Sequence, residues 1–354
     1  MKVFIVGGGS AGHVLPTVPV VIALADEGHE VTFVGTNSGL EADLIAGLPC
    51  EFRAISAGKL RRYLSIENFV DIFRTLRGVC QSLLLVLKTR PHVIFSKGGY
   101  VSFPLVLAGW ICRVPIVAHE SDISPGLANR LVTPMADTIC TSFADTAFER
   151  TKTRVVYTGT PLRAEITSGS ATLGRQRLGI TPDQPLLVVT GGSLGADRLN
   201  EIVRRAIPDL IQGFHVFHVC GPGKLAPIDV AGYVQAEFVA EGWGDLLAAA
   251  DVVLSRAGAN ALFELIALRK KNLLVPLPKN ASRGDQIENA AYAQKRGWSL
   301  VIAEEDLTAA RLSAGVRQLL EHGDRWTQRL AEVSAPNAAH AIVMEIHAAV
   351  GKSP

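Results

Sequence analysis

Short apolar runs alternate with amphipathic segments along the first 160 residues. The apolar runs predict buried strands and the segments between them predict helices. The predicted strands are Lys2–Val6, Val31–Val34, His92–Phe95, Ile116–Ala118, Thr138–Cys140 and Arg154–Tyr157. The predicted helices are Pro16–Asp26, Glu67–Lys88, Val101–Cys112 and Ala144–Glu149. Nearly continuous apolar strands that alternate with helices are typical of a parallel sheet covered on both faces.

The same alternation begins again near residue 185. The second set of predicted strands is Pro185–Thr190, His215–Val219, Tyr233–Val239, Val252–Leu254, Asn272–Val275 and Ser299–Ile302. The second set of predicted helices is Asp197–Ile211, Asp245–Ala250, Asn260–Leu268, Gln286–Arg296, Thr308–Glu321 and Asn337–Val350. The sequence therefore predicts two doubly wound, Rossmann-like α/β domains, residues 1–160 and 164–335, with the C-terminal segment 336–354 returning to the first domain.

Composition narrows the function classes. The chain has 354 residues, 48% of them hydrophobic, and a formal net charge of only +2. Such a small excess of positive charge excludes a globally basic nucleic-acid-binding protein. The longest apolar stretch, Phe103–Cys112, is about half the length of a membrane span. The N-terminal apolar run is too short for a signal peptide, and the five cysteines are widely spaced, which predicts a cytoplasmic protein.

A glycine-rich loop follows the first predicted strand. Gly7–Gly12 matches G-x-G-x-x-G and opens a helix, where backbone N–H groups can approach a phosphate. A dinucleotide site also needs an acidic residue at the end of the second strand, which here ends in Val34-Gly35-Thr36. NAD is therefore not expected. His13 comes next and is either a general base facing the phosphate site or a residue that only contacts the loop backbone.

The second half carries further anion-binding candidates. Gly191–Gly195 and the turn Ser255–Asn260 each lead from a strand into a helix. Glu264 is a candidate for binding ribose hydroxyls and Gln286 for reading sugar hydroxyls, although each alone is better explained as an ordinary polar residue of a helix. One phosphorylated ligand per domain, with reaction in a cleft between them, is the expectation. The absence of an Asp-x-Asp motif favours a scheme without metal.

Six motifs in order carry a resemblance to a known family. They are Gly8–His13, Ser96–Tyr100, His119–Arg130, Gly191–Ala196, Ser255–Gly258 with Glu264, and Asp285–Gln286 with Asn289–Ala290. This set resembles the MurG family of GT-B glycosyltransferases, which add N-acetylglucosamine to lipid I to make lipid II. The likeness runs through nearly the whole chain. It implies two facing Rossmann-like domains, a role in cell-wall synthesis, and no cofactor or metal.

The resemblance implies a donor site in the second domain. The residues that it assigns to UDP-N-acetylglucosamine are Arg163, Ser193, Val239, Arg256, Ala259, Asn260, Glu264, Asp285 and Gln286. Among these, Ser193, Arg163 and the Ala259–Asn260 turn would hold the diphosphate, and Glu264 the ribose. Phe238-Val239 would face uracil, while Asp285 and Gln286 would hold the sugar hydroxyls.

The resemblance also implies an acceptor site in the first domain. The residues that it assigns to the undecaprenyl-linked diphosphate are Gly9, Ser10, Ala11, Gly12, Gly98, Gly99, Tyr100, His119 and Asn129. The implied chemistry inverts the anomeric centre in one displacement. His13 is the expected base, and Glu120 is the other catalytic candidate.

Several positions depart from the usual family motifs. Ala11 stands for a glycine, Leu194 for a glutamine, Ala257 for a serine and Asp285 for a glutamine. The segment His119–Asp122 has HESD where HEQN is usual. Three alternatives therefore stay open: another UDP-sugar-dependent lipid glycosyltransferase, a UDP-N-acetylglucosamine 2-epimerase, and a non-catalytic binding paralogue.

A basic and partly apolar segment covers residues 59–90. Seven basic residues stand against two acidic ones: Lys59, Arg61, Arg62, Arg74, Arg77, Lys88 and Arg90 against Glu67 and Asp71. The segment fits either a solvated amphipathic helix or contact with anionic lipid. The lipid-linked acceptor implied by the resemblance favours a peripheral protein on the cytoplasmic face of the membrane. It also admits other cell-wall synthesis proteins as partners.

Overall fold

A computed structural model describes residues 1–37, 39–59, 66–148, 151–333 and 337–351, with backbone only for 66–69. The chain divides into two compact units. Unit 1 comprises Met1–Arg163 with Pro336–Pro354, and unit 2 comprises Ala164–Ala335. The predicted boundaries lay within a few residues of these.

Unit 1 is built on a seven-stranded sheet in the order β3-β2-β1-β4-β5-β6-β7, in which all paired strands are parallel. Its strands are β1 Lys2–Gly7, β2 Glu30–Gly35, β3 Glu51–Ala54, β4 Val93–Gly98, β5 Ile116–Glu120, β6 Thr138–Thr141 and β7 Arg154–Tyr157. Its first six helices are α1 Ala11–Val14, α2 Val18–Asp26, α3 Glu41–Leu44, α4 Ile66–Thr89, α5 Ser102–Ile111 and α6 Leu127–Val132. Short 3-10 helices lie at Leu15–Thr17 and Thr133–Met135. The strand order reverses between β1 and β4, where open α/β sheets place ligands at the carboxyl edge.

Both faces of the first sheet are buried, as the apolar runs predicted. Val3 and Ile5 of β1 belong to a core with α2, and Phe4 and Val6 belong to a second core with α5. Alternate side chains of a strand point to opposite faces, so this single strand supplies both cores. β1 is therefore an interior strand of the sheet, and its carboxyl end leads into the first glycine loop.

Unit 2 repeats the plan with six parallel strands in the order β10-β9-β8-β11-β12-β13. Its strands are β8 Leu186–Thr190, β9 His215–Val219, β10 Tyr233–Ala236, β11 Val252–Ser255, β12 Lys271–Leu274 and β13 Leu300–Val301. Its helices are α7 Ala164–Thr167, α8 Ala171–Leu178, α9 Asp197–Leu210, α10 Trp243–Ala249, α11 Ala259–Ala267, α12 Asp285–Lys295, α13 Ala309–Glu321 and α14 Asp324–Ala331, with a 3-10 turn at Glu304–Asp306. The sheet order reverses between β8 and β11, so the loops after these strands lie at one edge.

The final helix, α15 Ala338–Val350, packs against unit 1. Ile342, Val343 and Ile346 are fully buried in the core that contains Val20 and Leu24 of α2. On the same helix, Glu345 forms a two-point ion pair with Arg154 at the start of β7. The C-terminal segment is thus an integral layer of unit 1.

Two predicted elements differ from the structure, and several short elements, among them β3 and α8, were not predicted. Residues 144–148 form a turn and irregular chain, so the predicted helix Ala144–Glu149 is wrong over its described residues, and Glu149 lies outside them. Phe143 is buried and its carbonyl accepts from Thr146 N–H, which closes a turn in a segment too short to nucleate a helix. The predicted strand Tyr233–Val239 ends at Ala236, at the edge of the second sheet.

Candidate active site

The first glycine loop of unit 1 contacts the loop after β4. Gly9 has φ of +88°, and a Cβ atom placed on it would overlap the ring of Tyr100. A Cβ atom on Gly8 would overlap Glu41 and lie 2.7 Å from Val101. The two segments can approach this closely only because these positions lack side chains. The predicted acceptor residues Gly9, Ser10, Ala11 and Gly12 therefore lie beside Gly98, Gly99 and Tyr100.

His13 lies at the junction of the same two loops. Gly99 has φ of +82°, and a Cβ atom on it would overlap the Gly8 carbonyl oxygen and lie 3.1 Å from His13 Cδ2. The His13 backbone N–H donates to the Ser10 carbonyl at 3.0 Å, which closes the turn into α1. The imidazole is partly exposed. This places an accessible acid–base group between two loops rich in backbone N–H groups.

Glu41 supports the first loop and was not anticipated from the sequence. It is fully buried, and Oε1 accepts from Gly9 N–H at 2.8 Å while Oε2 accepts from the Thr36 hydroxyl at 3.1 Å. Burial, and then the Glu41 carboxylate, raises the pKa of the Tyr100 phenol. The sequence signal was an acidic residue shortly after β2. The dinucleotide-binding pattern places its acidic residue at the strand end itself, where it holds a ribose.

His119, Glu120 and Asn129 form a buried network at the end of β5. Glu120 Oε1 accepts from Asp122 N–H at 2.9 Å, and Oε2 accepts from Gly126 N–H and Asn129 Nδ2, each at 2.9 Å. Asn129 Nδ2 also donates to the His119 carbonyl at 3.0 Å. Burial raises the pKa of Glu120, and repulsion from Asp122 adds to this. Both carboxylate oxygens thus hold the loop after β5 in place.

His119 is completely buried. Its Nε2 donates to the Gly159 carbonyl at 3.0 Å, and burial lowers the pKa of the ring well below its usual value. Within the described residues, Asn129 Oδ1 is buried without a hydrogen-bond partner and lies against Gly98, 3.2 Å from the position of an added Cβ. Asn129 therefore reaches the second glycine segment, whereas His119 is turned into the protein. Acceptor contacts by both residues stay predictions.

Lys97 is a second group that sequence reasoning passed over. Its side chain is 1% exposed, and the ammonium donates to the Ser121 hydroxyl. Burial lowers the pKa of Lys97 to about 8, opposed by the nearby Glu120 and Asp122 carboxylates. Lys97 lies inside the motif Ser96–Tyr100, but the identity of a lysine in a strand does not indicate that it is buried. Lys97 places a buried positive charge beside Ser121, near the Glu120 and Asp122 carboxylates.

In unit 2 the loop after β8 is open to solvent. Gly192 has φ of +86° and nothing lies within 4 Å of an added Cβ, while Ser193 is exposed and Leu194 is 79% exposed. A Cβ atom on Gly195 would overlap the Cys220 carbonyl, so this glycine permits close packing against the end of β9. The loop therefore presents Ser193 outward from a fixed base.

The turn after β11 meets the start of α12. Gly258 is the N-cap residue of α11 and supplies no side chain that could cap the helix. Gln286 Oε1 accepts from Leu277 N–H at 3.1 Å, and its Nε2 lies 4.0 Å from an added Cβ on Gly258. Asn289 is fully buried and donates to the Ala257 carbonyl at 3.2 Å. The predicted diphosphate turn and the predicted sugar-reading residue are thus neighbours.

Arg256 is turned away from this opening. Its guanidinium forms a buried ion pair with Glu304 and donates to the Val275 carbonyl at 3.1 Å. The side chain is only 7% exposed, so it stabilises the turn between β11 and β12. Its predicted direct contact with the donor stays untested.

The other predicted donor residues lie at chain positions consistent with access to solvent. Arg163, Val239 and Glu264 are partly exposed. Asp285, the first residue of α12, pairs with Arg283 at 3.3 Å, and Phe238 is 65% exposed just after β10. Phe238 and Val239 follow β10 and Asp285 starts α12, whereas Glu264 lies in the second turn of α11.

The described residues contain one group of three side chains whose ligand atoms lie close enough together to hold a metal ion. The group consists of Glu27, His29 and His347. It lies at the amino end of β2, whereas the glycine loops follow the carboxyl ends of the strands. In the same part of the chain no helix is both long and apolar enough to cross a bilayer.

Comparison with known proteins identifies the class. The model of the glycosyltransferase family 28 N-terminal domain matches residues 3–141, and that of the glycosyltransferase family 28 C-terminal domain matches residues 186–344. The fold and the two sets of loops are those of a two-domain glycosyltransferase. The crystal structure of Acinetobacter baumannii MurG superposes with a TM-score of 0.77 at 24% identity, covering 98% of this chain and 99% of that one.

Curated relatives identify the family within the class. The UDP-N-acetylglucosamine–N-acetylmuramyl-(pentapeptide) pyrophosphoryl-undecaprenol N-acetylglucosamine transferase of Clostridium kluyveri is 44% identical over 90% of this chain and 91% of its own length. The protein of the same name from Legionella pneumophila strain Paris is 43% identical over 95% of this chain and 94% of its own length. The chain belongs to this family, the MurG glycosyltransferases. A Listeria monocytogenes protein described as a UDP-N-acetylglucosamine 2-epimerase shares the fold, with a TM-score of 0.71 at 15% identity.

Proposed function

We propose that this chain transfers N-acetylglucosamine from UDP-N-acetylglucosamine to the C4 hydroxyl of the N-acetylmuramyl group of undecaprenyl-pyrophosphoryl-N-acetylmuramyl-pentapeptide. The product is the disaccharide-linked lipid used in peptidoglycan synthesis. Relatives that match over nine-tenths of the chain are named for this transfer. The observation that supports the proposal most directly is the contact between His13 and Gly99. It brings two predicted acceptor loops together beside one accessible imidazole.

Unit 1 supplies the acceptor side. Backbone N–H groups of the Ser10–Gly12 and Gly98–Tyr100 segments bind the lipid-linked diphosphate, since small residues let its oxygens approach the main chain, while the Gly9 N–H is held by Glu41. The buried Lys97 ammonium, which donates to Ser121, adds positive charge to this side of unit 1. Asn129 presents its amide toward Gly98. Glu120 acts as a positioning residue, because its two oxygens hold Asn129 and the loop after β5.

Unit 2 supplies the donor side. The N-terminus of α11 and the Ser193 loop bind the UDP diphosphate, and Glu264 binds the ribose. Gln286 and Asp285 bind the hydroxyls of the transferred sugar. The position of Gln286 near Gly258 supports this assignment. It places a side chain that can bind sugar hydroxyls beside the turn proposed to bind the diphosphate.

The chemistry is a single inverting displacement. The acceptor C4 oxygen attacks the anomeric carbon while the bond from that carbon to the UDP oxygen breaks, so an α-linked donor gives a β-linked product. His13 removes the proton of the C4 hydroxyl. Charge developing on UDP is stabilised by the N-terminus of α11 and by Arg163. No step in this scheme uses a metal.

A transfer assay tests the proposal. Labelled UDP-N-acetylglucosamine is incubated with the protein and a short-chain lipid-linked acceptor, and label is followed into the lipid fraction. An acceptor in which the C4 hydroxyl is replaced by hydrogen is the matched control. Transfer to the first acceptor and none to the second is expected. Conversion of the donor to its 2-epimer without any lipid product would replace the proposal with an epimerase.

We also propose that α4 binds the cytoplasmic surface of an anionic membrane. Apolar side chains recur at helical spacing on its exposed face, and exposed basic residues lie among them: Phe73, Leu76, Leu84 and Leu87 with Arg77 and Lys88. Such a face suits shallow insertion below lipid headgroups. The basic residues Arg61 and Arg62 of the predicted patch lie outside the described residues.

Vesicle co-sedimentation tests this surface. Vesicles with and without anionic lipid are compared for wild type, for Phe73→Ser with Leu84→Ser, and for a control pair in unit 2, Leu173→Ser with Leu225→Ser. Binding to anionic vesicles should fall by roughly tenfold or more in the α4 pair, because each apolar side chain contributes on the order of 1–2 kcal/mol. Equal binding by both pairs would remove α4 from the membrane surface.

A further inference from the structure

Three side chains that the transfer reaction does not use converge at the opposite edge of unit 1. Glu27 caps the C-terminal end of α2, His29 lies just before β2, and His347 is in the last turn of α15. His29 Nε2 lies 3.2 Å from His347 Nε2 and 3.3 Å from Glu27 Oε2. His347 Nε2 lies 3.0 Å from the same carboxylate oxygen.

We propose that Glu27, His29 and His347 form a binding site for a divalent transition-metal ion of the Zn²⁺ type. Two imidazole nitrogens and one carboxylate oxygen are a common ligand set for such ions. Metal–ligand bonds of about 2.0–2.1 Å in a tetrahedron put the ligand atoms about 3.3–3.4 Å apart. The three separations here, 3.0 to 3.3 Å, are within a few tenths of an ångström of that spacing.

The ligands are held in place before any metal binds. His29 N–H donates to the Leu24 carbonyl at 3.0 Å, and Gly28, with φ of +78°, makes the turn that puts Glu27 and His29 side by side. Buried Ile346 anchors α15, so His347 is held over this turn. A preformed set of ligands loses little conformational entropy on binding.

The site is open on one side. The side chains of Glu27 and His347 are 37% and 36% exposed, and His29 is 15% exposed. Three protein ligands and one solvent-facing position leave room for a water or an added donor as the fourth ligand. Because the site joins α15 to the amino edge of the sheet, a bound ion would fasten the C-terminal helix to unit 1.

The imidazole ligands set the conditions for the test. Metal ions bind neutral imidazole rather than imidazolium, so metal affinity falls at low pH. Titrations with metal therefore belong at pH 8.

Calorimetric titration of the metal-free protein with Zn²⁺ at pH 8 tests the proposal. One ion per chain is expected for wild type. His347→Gln should bind at least about tenfold more weakly, because one of three ligands is gone. His340→Gln, on the exposed face of the same helix, is the matched control and should bind as wild type does.

Thermal unfolding gives an independent readout. Zn²⁺ should raise the melting temperature of wild type and of His340→Gln but not of His347→Gln. Glu27→Gln, a change at an exposed position, repeats the test if His347→Gln melts early without metal. Absence of stoichiometric Zn²⁺ binding by wild type would overturn the proposal. So would equal affinity in wild type, His347→Gln and Glu27→Gln.

Discussion

Substitution of Gly99 tests whether the contact between the two glycine loops of unit 1 matters for activity. Gly99→Ala puts a methyl group into the space of the Gly8 carbonyl oxygen and 3.1 Å from His13 Cδ2. It also forces alanine to a φ of +82°. Gly47 is a matched control, since it has φ of +81° but nothing lies within 4 Å of an added Cβ.

The two variants separate backbone strain from the loop contact. A left-handed conformation costs alanine about 1–2 kcal/mol, so Gly47→Ala should lose about that much stability and keep its activity. Gly99→Ala adds an overpacking cost of about 1–3 kcal/mol, because β1 and β4 are hydrogen-bonded neighbours and cannot separate freely. Displacing His13 and Gly8 by about 1 Å should cost on the order of a hundredfold in kcat/KM.

Denaturant unfolding and the labelled-transfer assay measure these two effects side by side. We expect Gly99→Ala to lose activity and Gly47→Ala to keep it, with both variants folded at the assay temperature. Equal activity in Gly99→Ala and Gly47→Ala would refute the claim that the junction of the two loops is part of the catalytic site.

Three further predictions concern buried polar groups. Glu41→Ala should weaken acceptor binding at least about tenfold, because Gly9 N–H loses its partner, whereas Glu41→Gln keeps an acceptor oxygen and should retain most of the affinity. Arg256→Ala should lower the free energy of unfolding by about 3–5 kcal/mol, because it leaves Glu304 buried and unpaired. Burial lowers the pKa of His218 to about 3, so the unfolded state binds more protons below pH 6.5 and stability falls as the pH drops. That residue should account for about 2 kcal/mol of lost stability between pH 7 and 5, and His218→Gln should flatten the curve.

Each of these has an outcome that contradicts it. Equal acceptor affinity in Glu41→Ala and wild type would remove Glu41 from the support of the loop. Arg311 pairs with Asp306 at an exposed position, so Arg311→Ala should cost less than about 1 kcal/mol. If Arg256→Ala costs no more than that, the ion pair does not hold the turn. A pH dependence unchanged by His218→Gln would place the titrating group elsewhere.

Apolar periodicity was sufficient to predict most of the fold. The strands Arg154–Tyr157 and His215–Val219 match the structure residue for residue. The second is buried along its whole length, whereas the first is the largely exposed edge strand of its sheet. The helix α8, Ala171–Leu178, was missed, although Ser170 caps it and Gly179 ends it. Most side chains of α8 are small or polar, and Gly174 is its one buried residue. The segment therefore lacks the apolar periodicity that would predict a helix.

The candidate site was predictable in its loops but not in its buried charges. Glycine-rich motifs pointed to Gly98, Gly99 and the turn at Gly258. Positive φ angles favour glycine at Gly98 and Gly99, and the nearby Gly8 carbonyl adds to this at Gly99. Gly258 has an ordinary φ of −65° and open space around an added Cβ atom. The burial of Lys97 and Glu41 depends on packing between segments distant in sequence. A sequence alone cannot distinguish such a residue from a solvated one.

The measurement closest to the central claim is transfer by His13→Ala, with UDP-N-acetylglucosamine and the lipid-linked acceptor both at saturation. We expect His13→Ala to bind both substrates normally and to show a fall in kcat of about 10²–10⁴-fold, because the displacement has lost its general base. Transfer at the wild-type rate by this variant would contradict the assignment of His13, and with it the placing of the chemistry at the junction of the two loops.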